Sequence, residues 1–303
     1  MEKNQLPSIY EKHHSFVSFS SGNPALVDIQ TTRAIRLIHT EIVENELDNR
    51  YSSVIRNIVS DLTKPENENQ NGFTITQYIA DEMSALDDDD VIRYLYHRYR
   101  YDVHPVRYIL DDYPQYMQLE PTSICNFRCV FCFQIDKSFS NKTSGMMGNM
   151  SFDLFRSVVD QIETHIEFVS LASRGEPLIC HDIDRMLEYC NGKFLGLKLN
   201  TNASPLTEAH AHAILSGGVQ TIVFSADAAE EPLYSQLRVN GSLERIVKNI
   251  EMFRNVKEKN YPKSKLITRV SGVMFNEQQS MESMIDFWRA LVHQVAFVKY
   301  NPW

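Results

Sequence analysis

Short apolar runs and segments with helical periodicity alternate along the chain from Tyr116 to its end. An alternation of apolar and polar residues at 117–120 predicts a first strand, and apolar runs predict five more, at 168–172, 195–199, 219–224, 266–274 and 295–300. Five helices are predicted between them, at 152–165, 182–191, 207–216, 232–257 and 281–293, the fourth interrupted near Asn240 and Gly241. Strands that alternate with helices favour a parallel sheet with crossover helices. The pattern therefore predicts an α/β fold that forms a barrel or a large part of one.

The first third of the chain has a different pattern. Apolar residues recur at helical spacing over 25–47, 51–62, 73–86 and 91–101. Residues 1–22 show no periodicity and are expected to be irregular. We therefore predict an α-helical N-terminal region over residues 1–115 and a separate core over residues 116–303.

Most of the negative charge belongs to the N-terminal region. Residues 1–115 carry 19 acidic and 11 basic side chains, which gives −8 of the chain's net charge of −9. The densest acidic run, at residues 87–90, is interpreted as a solvated helix start, because carboxylates suit the positive end of a helix dipole. So acidic a chain is a poor candidate for generic nucleic-acid binding, since phosphate contacts need Lys and Arg.

Composition and length exclude further classes of protein. The 303 residues are 43% hydrophobic and 23% charged, the balance of a globular chain with a core. The sequence has no apolar run of the roughly 18 residues that would predict a membrane-spanning helix. Its N-terminus lacks the basic start and apolar stretch of a signal peptide. We therefore expect a cytoplasmic protein with no membrane partner.

Five cysteines give the most specific chemical signal. Three of them, Cys125, Cys129 and Cys132, lie within eight residues. An odd number of cysteines in a reducing compartment argues against a disulfide framework and favours metal binding or catalysis. An iron–sulfur cluster normally takes four thiolates, so three would leave one iron open. Zinc, with Cys180 or a histidine as fourth ligand, is the alternative, whereas Cys180 and Cys190 are interpreted as small buried hydrophobes.

Polar residues follow the predicted strands, at the edge where chemistry takes place in barrels of this type. The triplet follows the first strand, and the later strands are followed by residues 174–177, 200–202, 225–227 and Asn301. Polar residues that converge on one rim predict a functional site.

The triplet resembles the signature of the radical S-adenosylmethionine (radical SAM) enzymes. The spacing is Cys125-x3-Cys129-x2-Cys132, with Phe131 just before the last cysteine, and the resemblance extends over about residues 116–303. It implies a partial (β/α)6 TIM-like barrel in which the three cysteines hold three irons of a [4Fe–4S] cluster. S-adenosylmethionine (SAM) is implied to bind the fourth iron, with Phe131 beside its adenine. The implied chemistry is reductive cleavage of SAM to a 5′-deoxyadenosyl radical, which takes a hydrogen atom from a substrate.

The same resemblance implies further cofactor-binding residues. Gly175 and Glu176 are similar to the end of the family's Gly-Gly-Glu-Pro motif. Gly175 would let the backbone approach the methionine end of SAM, and Glu176 would accept a hydrogen bond from its ammonium or buttress the turn. Asn200 and Ser225 follow later strands, and Ser225 stands where a polar residue usually contacts the ribose. Arg238 is similar to the arginine that many members present to the cofactor's carboxylate.

One residue departs from the family pattern. Arg174 occupies the position of the motif's first glycine. We expect Arg174 either to pair with a carboxylate or phosphate in the site or to point outward and form an ion pair on the surface.

The layout is similar to SPASM-type members, which continue into a C-terminal domain with auxiliary clusters. No further cysteines follow the core here, so a SPASM-like member lacking that domain is expected. The sixth strand ends near Trp303 with no helix after it to cover the sheet. Either the chain is a truncated form of a longer protein, or the helical N-terminal region or a partner covers this edge. The resemblance implies a reductant protein such as a flavodoxin or ferredoxin, and a substrate that is a peptide, a sugar or a small metabolite. The alternative is a non-catalytic iron–sulfur or zinc-binding scaffold.

Overall fold

The structure is a computed structural model, and it describes residues 8–13, 16–21, 23–44, 49–65, 68–69 and 72–300. Its strands are β1 (Ser8–His13), β2 (Phe16–Ser21), β3 (Met117–Leu119), β4 (Arg128–Cys129), β5 (Phe168–Leu171), β6 (Gly196–Thr201), β7 (Val219–Ser225), β8 (Arg238–Val239), β9 (Ile267–Met274) and β10 (Gln294–Lys299). Its helices are α1 (Pro24–Glu44), α2 (Asn49–Thr63), α3 (Gln77–Ala85), α4 (Asp88–Asp102), α5 (Lys137–Ser140), α6 (Phe152–Ile162), α7 (Ile183–Cys190), α8 (Glu208–Ser216), α9 (Leu233–Leu237), α10 (Leu243–Asn260) and α11 (Met281–Trp288).

The described residues form two compact units. One unit holds residues 8–21, 117–164 and 168–300, and the other holds residues 23–116 and 165–167. The division into a helical region over 1–115 and a core over 116–303 stays a prediction. In the part of the chain that the structure describes, no helix is long and apolar enough to cross a membrane.

An eight-stranded sheet forms the centre of the first unit. Its strand order is β2-β1-β10-β9-β7-β6-β5-β3. The six strands predicted from the sequence correspond to β3, β5, β6, β7, β9 and β10, which are neighbours in chain order. Every pair among these six is parallel. The predicted α/β fold with a parallel sheet and intervening helices is therefore confirmed.

Local sequence explains where these elements begin and which way they face. Ser151 caps α6 by accepting a hydrogen bond from Leu154 N at 3.3 Å, and Thr207 caps α8 in the same way. In β6 every second residue is buried, Leu197 fully so. Because successive side chains of a strand point to opposite faces, Asn200 lies on the face opposite Leu197.

Strands β1 and β2 correct the expectation that residues 1–22 are irregular. β1 pairs parallel to β10, with Ser8 opposite Gln294, and β2 pairs antiparallel to β1. The edge of β10 is therefore covered by strands from the start of the chain, not by helices. Local periodicity missed β1 because its partner β10 lies almost 300 residues further along the sequence, and β2 pairs only with β1 among the described strands.

The second unit contains α1 to α4, as the helical periodicity predicted. Tyr94 and Tyr99 of α4 are almost fully buried, so the tyrosine-rich segment is a packed helix face. The acidic run begins α4, and Asp88 in its first turn pairs with Arg33 and Arg36 of α1. The interpretation of this run as a helix start is confirmed.

Candidate functional site

The loop after β3 carries the cysteine triplet and is held by hydrogen bonds near its start. Ser123 N donates to Gly148 O at 3.0 Å, and Gly148 N donates to Ser123 Oγ at 2.8 Å. Thr122 forms a single β-bridge with Asn149. Gln134 Nε2, just beyond the triplet, donates to Ser123 O at 2.9 Å. These contacts close the loop on itself and restrict where the cysteines can lie.

The three cysteines of this loop are half-buried. Cys125 follows the loop's first turn, Cys129 ends β4, and Cys132 precedes a short 3-10 turn. Burial raises the pKa of the Cys125 thiol, and it raises the pKa of Cys129 to about 11. The charges of neighbouring thiols add to both shifts. Binding of a metal to these thiols would therefore release protons.

Amide groups surround the Cys125 sulfur. Phe127 N donates to Cys125 Sγ at 3.4 Å, and Asn202 Nδ2 lies 3.9 Å from the same sulfur. Asn202 Nδ2 also donates to Asn126 Oδ1 at 2.9 Å, and Asn126 Nδ2 donates to Ser204 Oγ at 3.2 Å. The end of β6 is thus bonded directly to the triplet loop.

A ribbon of two short strands connects the triplet to the segment after β7. β4 pairs antiparallel with β8, so that Cys129 lies opposite Arg238. Val130 N donates to Leu237 O at 3.0 Å and extends the connection by one residue. The ribbon was not predicted, because two-residue strands leave no periodic signal in a sequence.

Arg238 is 7% exposed and contacts several residues of the site. Its Nη1 lies 3.8 Å from Cys129 Sγ, and its Nε forms an ion pair with Asp227. The guanidinium carbon lies 5.7 Å from the centre of the Phe131 ring. Asp227 is fully buried, and its Oδ1 accepts a hydrogen bond from Val273 N at 2.6 Å. Arg238 therefore holds a compensated positive charge beside one of the three thiols.

Glu176 is 2% exposed, and its carboxylate binds the end of β6. Its Oε1 accepts from Thr201 Oγ1 at 2.6 Å and from Leu178 N at 3.1 Å, and its Oε2 accepts from Asn202 N at 2.6 Å. Glu176 N donates to Ile124 O at 2.9 Å, directly before the first cysteine. Burial raises the pKa of Glu176 to about 7, against the lowering effect of these hydrogen bonds. Of the two expected roles of Glu176, the structure shows the buttressing of the turn.

Gly175 lies against the backbone of the triplet loop. A Cβ atom at this position would stand 1.9 Å from Thr122 O and 2.7 Å from Ile124 O. Glycine is needed here because two backbone segments approach closely, and backbone atoms cannot move aside as the end of a flexible side chain can.

Arg174 binds Glu120 at the carboxyl ends of β3 and β5. Its Nη2 lies 2.7 Å from Glu120 Oε2, its Nε lies 3.1 Å from both carboxylate oxygens, and its backbone N donates to Glu120 Oε1 at 2.7 Å. The arginine side chain is 34% exposed. Burial raises the pKa of Glu120, but the bonds from Arg174 outweigh burial and leave this pKa lowered. Arg174 thus pairs with a carboxylate of this chain at the rim of the sheet.

The remaining predicted residues occupy different surroundings. Asn200 Oδ1 is buried and has no hydrogen-bond partner among the described residues. Ser225 ends β7 half-buried, opposite Ser271 in β9, and none of its described contacts reaches the triplet. The Phe131 ring packs against Phe275, with 5.8 Å between ring centres.

Comparison with known proteins agrees with this arrangement. A family model for the radical SAM superfamily matches residues 119–284, which is more than half of the chain. The chain belongs to the radical SAM superfamily. Members of this superfamily use a [4Fe–4S] cluster together with SAM.

Curated relatives match this radical SAM chain over part of their length. An AdoMet-dependent heme synthase of Methanosarcina barkeri is 27% identical over 142 residues, 46% of this chain and 39% of the relative. A GTP 3',8-cyclase of Saccharophagus degradans is 30% identical over 142 residues, 46% of this chain and 41% of the relative. The alignments thus span about two fifths of these relatives' length.

Solved structures support the fold. SuiB of Streptococcus suis bound to its precursor peptide SuiA has a TM-score of 0.53 at 18% identity, and the match covers 85% of this chain and 57% of SuiB. SuiB bound to S-adenosylmethionine has a TM-score of 0.51 at 19% identity, covering 72% of this chain and 45% of SuiB. At this level of identity the likeness shows a shared radical SAM fold.

The donor set of this radical SAM chain fits the family's cluster. Three thiols in one short loop are soft ligands suited to iron–sulfur binding. Arg238 and Asn202 present N–H groups to two of the sulfurs and would offset the charge of thiolate ligands. Asn200 Oδ1 supplies a buried acceptor that no described residue satisfies. Within the described ranges, no three His, Cys, Asp or Glu side chains form a ready-made metal-binding group, so the thiols are not a preformed ligand set.

Several residues of the site were missed at the level of sequence. Glu120 and Gln134 bind Arg174, and Asn126 binds Ser204, so that their partners lie 40 to 78 residues away in sequence. Asn126 directly follows the first cysteine, which was the one local signal available. Contacts at such separations follow from the sheet topology, which sequence spacing does not encode.

Proposed function

We propose that this chain is a radical SAM enzyme whose cluster is held by Cys125, Cys129 and Cys132. When bound, the [4Fe–4S] cluster supplies the electron that cleaves SAM to a 5′-deoxyadenosyl radical, which takes a hydrogen atom from a substrate. The residues proposed to contact SAM are Phe131, Gly175, Glu176, Asn200, Ser225 and Arg238. The substrate is proposed to be a peptide, a sugar or a small metabolite.

One observation carries the proposal: three separate segments reach the triplet loop through direct contacts. Glu176 N bonds to Ile124 O, Asn202 bonds to Asn126, and Arg238 pairs with Cys129. All of them follow strands of the parallel sheet, where catalytic residues of such folds collect. The non-catalytic scaffold has no comparable support, because a scaffold does not need these motifs to converge.

Anaerobic reconstitution with iron and sulfide tests the proposal. We expect roughly four irons and four sulfides per chain, as one cluster of this type requires. With dithionite and SAM, the reconstituted protein should release 5′-deoxyadenosine even without its substrate. Substitution of Cys125, Cys129 and Cys132 by Ala should abolish both results.

Cys190→Ala is the matched control, since Cys190 is a buried thiol outside the triplet. This variant should keep its full iron content. Stoichiometric zinc in place of iron, or a cluster that survives the triple substitution, would contradict the proposal. A cluster without any SAM cleavage would favour the scaffold.

The exposed side of the triplet loop is proposed to receive the reductant, a small protein such as a flavodoxin or ferredoxin in the cytoplasm. Ile135 is 55% exposed and Met146 49% exposed, on the segment that follows the cysteines. Ile135→Glu should slow cluster reduction by a flavodoxin and leave reduction by dithionite unchanged. The control is Leu154→Glu, because Leu154 is equally exposed on α6. Equal rates for the two variants with flavodoxin would refute this docking surface.

A further inference from the structure

The parallel sheet has one face toward its helices and one face away from them. Phe224 of β7 lies on the helix face, because its ring packs against Phe253 of α10 with 5.9 Å between ring centres. Ile222 is on the same face as Phe224, and the strand register places Leu199 of β6 beside Ile222. The residues that alternate with these point to the opposite face, which is the interior of the partial barrel.

This inner face carries polar side chains on its central strands. Ser170 of β5 lies opposite Lys198 of β6, and Lys198 lies opposite Thr221 of β7. The next row on the same face, nearer the triplet, contains Asn200 and Arg269. Packed barrel interiors are filled at such positions by bulky branched residues. Polar residues in their place indicate an interior that holds a polar ligand.

Ser170 has a buried hydroxyl with an unmet hydrogen bond. The residue is 1% exposed, and its Oγ has no hydrogen-bond partner among the described residues. A buried hydroxyl without a partner costs free energy, so native proteins seldom keep one without a use. Asn200 Oδ1, the other unmet atom of this face, is already proposed to contact SAM. Ser170 lies one strand repeat further from the triplet and therefore points to a different ligand.

The charge of the inner face is positive. Among the described residues of β3, β5, β6, β7, β9 and β10 that face the interior, the ionisable ones are Lys198 and Arg269. Glu120 follows β3 at the rim, and Arg174 binds both of its carboxylate oxygens. That ion pair adds no net charge, so these strands place positive charge beside Ser170.

An oxyanion fits this combination of groups. A serine hydroxyl donates one hydrogen bond, and a lysine ammonium donates up to three. Neighbouring strands lie about 5 Å apart, so one carboxylate or phosphate group can accept bonds from both Ser170 and Lys198. Such charge-assisted hydrogen bonds are the stronger kind. A cationic group would be repelled by Lys198, and an apolar group would leave the Ser170 hydroxyl unmet.

We propose that the Ser170 hydroxyl and the Lys198 ammonium bind an oxyanion of the substrate, either a carboxylate or a phosphate group. The inference rests on the proposed function, and it narrows the substrate to an anionic peptide, sugar or metabolite. Asn200 lies two residues beyond Lys198 on β6, roughly 7 Å along the strand and closer to the triplet. An anion bound at Lys198 therefore places the rest of the substrate beside the proposed SAM site.

Ser170→Ala tests the unmet hydroxyl in a chloride buffer without other anions. The variant should unfold at the same temperature as the wild type or higher, because no hydrogen bond within the protein is lost. Ser123→Ala is the matched control, since the buried Ser123 Oγ donates to Met146 O at 3.0 Å and accepts from Gly148 N at 2.8 Å. This control should unfold at a lower temperature. A similar loss in Ser170→Ala would show a protein partner and overturn the inference.

Anion binding is measured on the reconstituted protein with SAM, by thermal unfolding in rising concentrations of inorganic phosphate or of acetate at constant ionic strength. At least one anion should raise the unfolding temperature with a saturable dependence on concentration. Lys198→Met should weaken this binding roughly tenfold or more, and Ser170→Ala roughly three- to tenfold. Tighter binding of phosphate would indicate a substrate with a phosphate group, and tighter binding of acetate a substrate with a carboxylate.

Lys248→Met is the control for loss of a positive charge. Lys248 is exposed on α10, where it pairs with Glu244 at 2.7 Å. This variant should bind the anions as the wild type does. The inference is wrong if neither anion binds saturably, or if Lys198→Met binds them as tightly as the wild type. A protein that cleaves SAM but binds neither anion loses this inference alone, whereas a wild type that forms no cluster removes the proposed function itself.

Discussion

Gly175→Ala tests whether close backbone contact positions the triplet loop. The added Cβ would stand 1.9 Å from Thr122 O and 2.7 Å from Ile124 O. Normal contact requires a separation of more than about 3 Å, so the loop must move away from the end of β5 by roughly 1 Å. That movement stretches the bond from Glu176 N to Ile124 O, now 2.9 Å long.

The cost follows from two effects. Overpacking of this kind destabilises by about 1–3 kcal/mol, and loss of the hydrogen bond adds about 1 kcal/mol. In a unit of this size we expect the melting temperature of the metal-free protein to fall by roughly 5–10 °C. Iron retained after reconstitution should fall as well, because the same loop carries the cysteines.

Gly148→Ala provides the control for thermal unfolding and iron analysis. Gly148 bonds to the same loop through Ser123, but a Cβ atom there would meet nothing within 4 Å. This variant should differ from the wild type by less than about 0.5 kcal/mol. If Gly175→Ala behaves like Gly148→Ala in both measurements, the close contact does not position the loop.

Three further predictions concern the surroundings of the site. Because burial raises the folded-state pKa of Glu176 from 4.5 to about 7, its contribution to stability is greatest below pH 4.5 and is lost as pH rises through about 7. In urea unfolding, the free energy of unfolding of the wild type should therefore decline by up to about 3 kcal/mol over this pH range, and Glu176→Gln should show a smaller decline. The same pH dependence in the two proteins would contradict the prediction. Alanine at Cys180 and Cys190 should cost about 1 kcal/mol each and leave the iron content unchanged, whereas a loss of half the iron would make one of them a ligand. Glu120→Gln should cost about 1 kcal/mol in thermal unfolding, since its pair with Arg174 is partly exposed; no change would mean that the pair is only a surface contact.

The sequence was sufficient for the six parallel strands and their order. Five of the strands are compact apolar runs, the first alternates apolar and polar residues, and the helices begin at Ser151, Thr207 and similar caps. Such signals are local, so a single sequence contains them. The strands that it missed depend on distant partners: β1 pairs with β10, and β4 pairs with β8.

The site shows the same division between local and distant information. The cysteine spacing and Gly175-Glu176 were recognisable because each is a short motif. The bonding partners of the site residues were not recognisable. Arg238 forms an ion pair with Asp227, and Glu176 accepts a hydrogen bond from Thr201, both across the rim of the sheet. A motif thus identifies the candidate residues, but their bonding partners are decided by which strand ends become neighbours.

Arg174 illustrates why the family's motif cannot be transferred as a unit. The family's first glycine could be needed for backbone conformation or for space. Here the left-handed backbone lies one residue earlier, at Ser173, where φ is 127°. Arg174 has no such conformation, and its side chain binds Glu120, which also accepts its backbone N–H. The chain therefore accommodates a large residue at the first motif position, whereas the contact with Thr122 O leaves no space for one at Gly175.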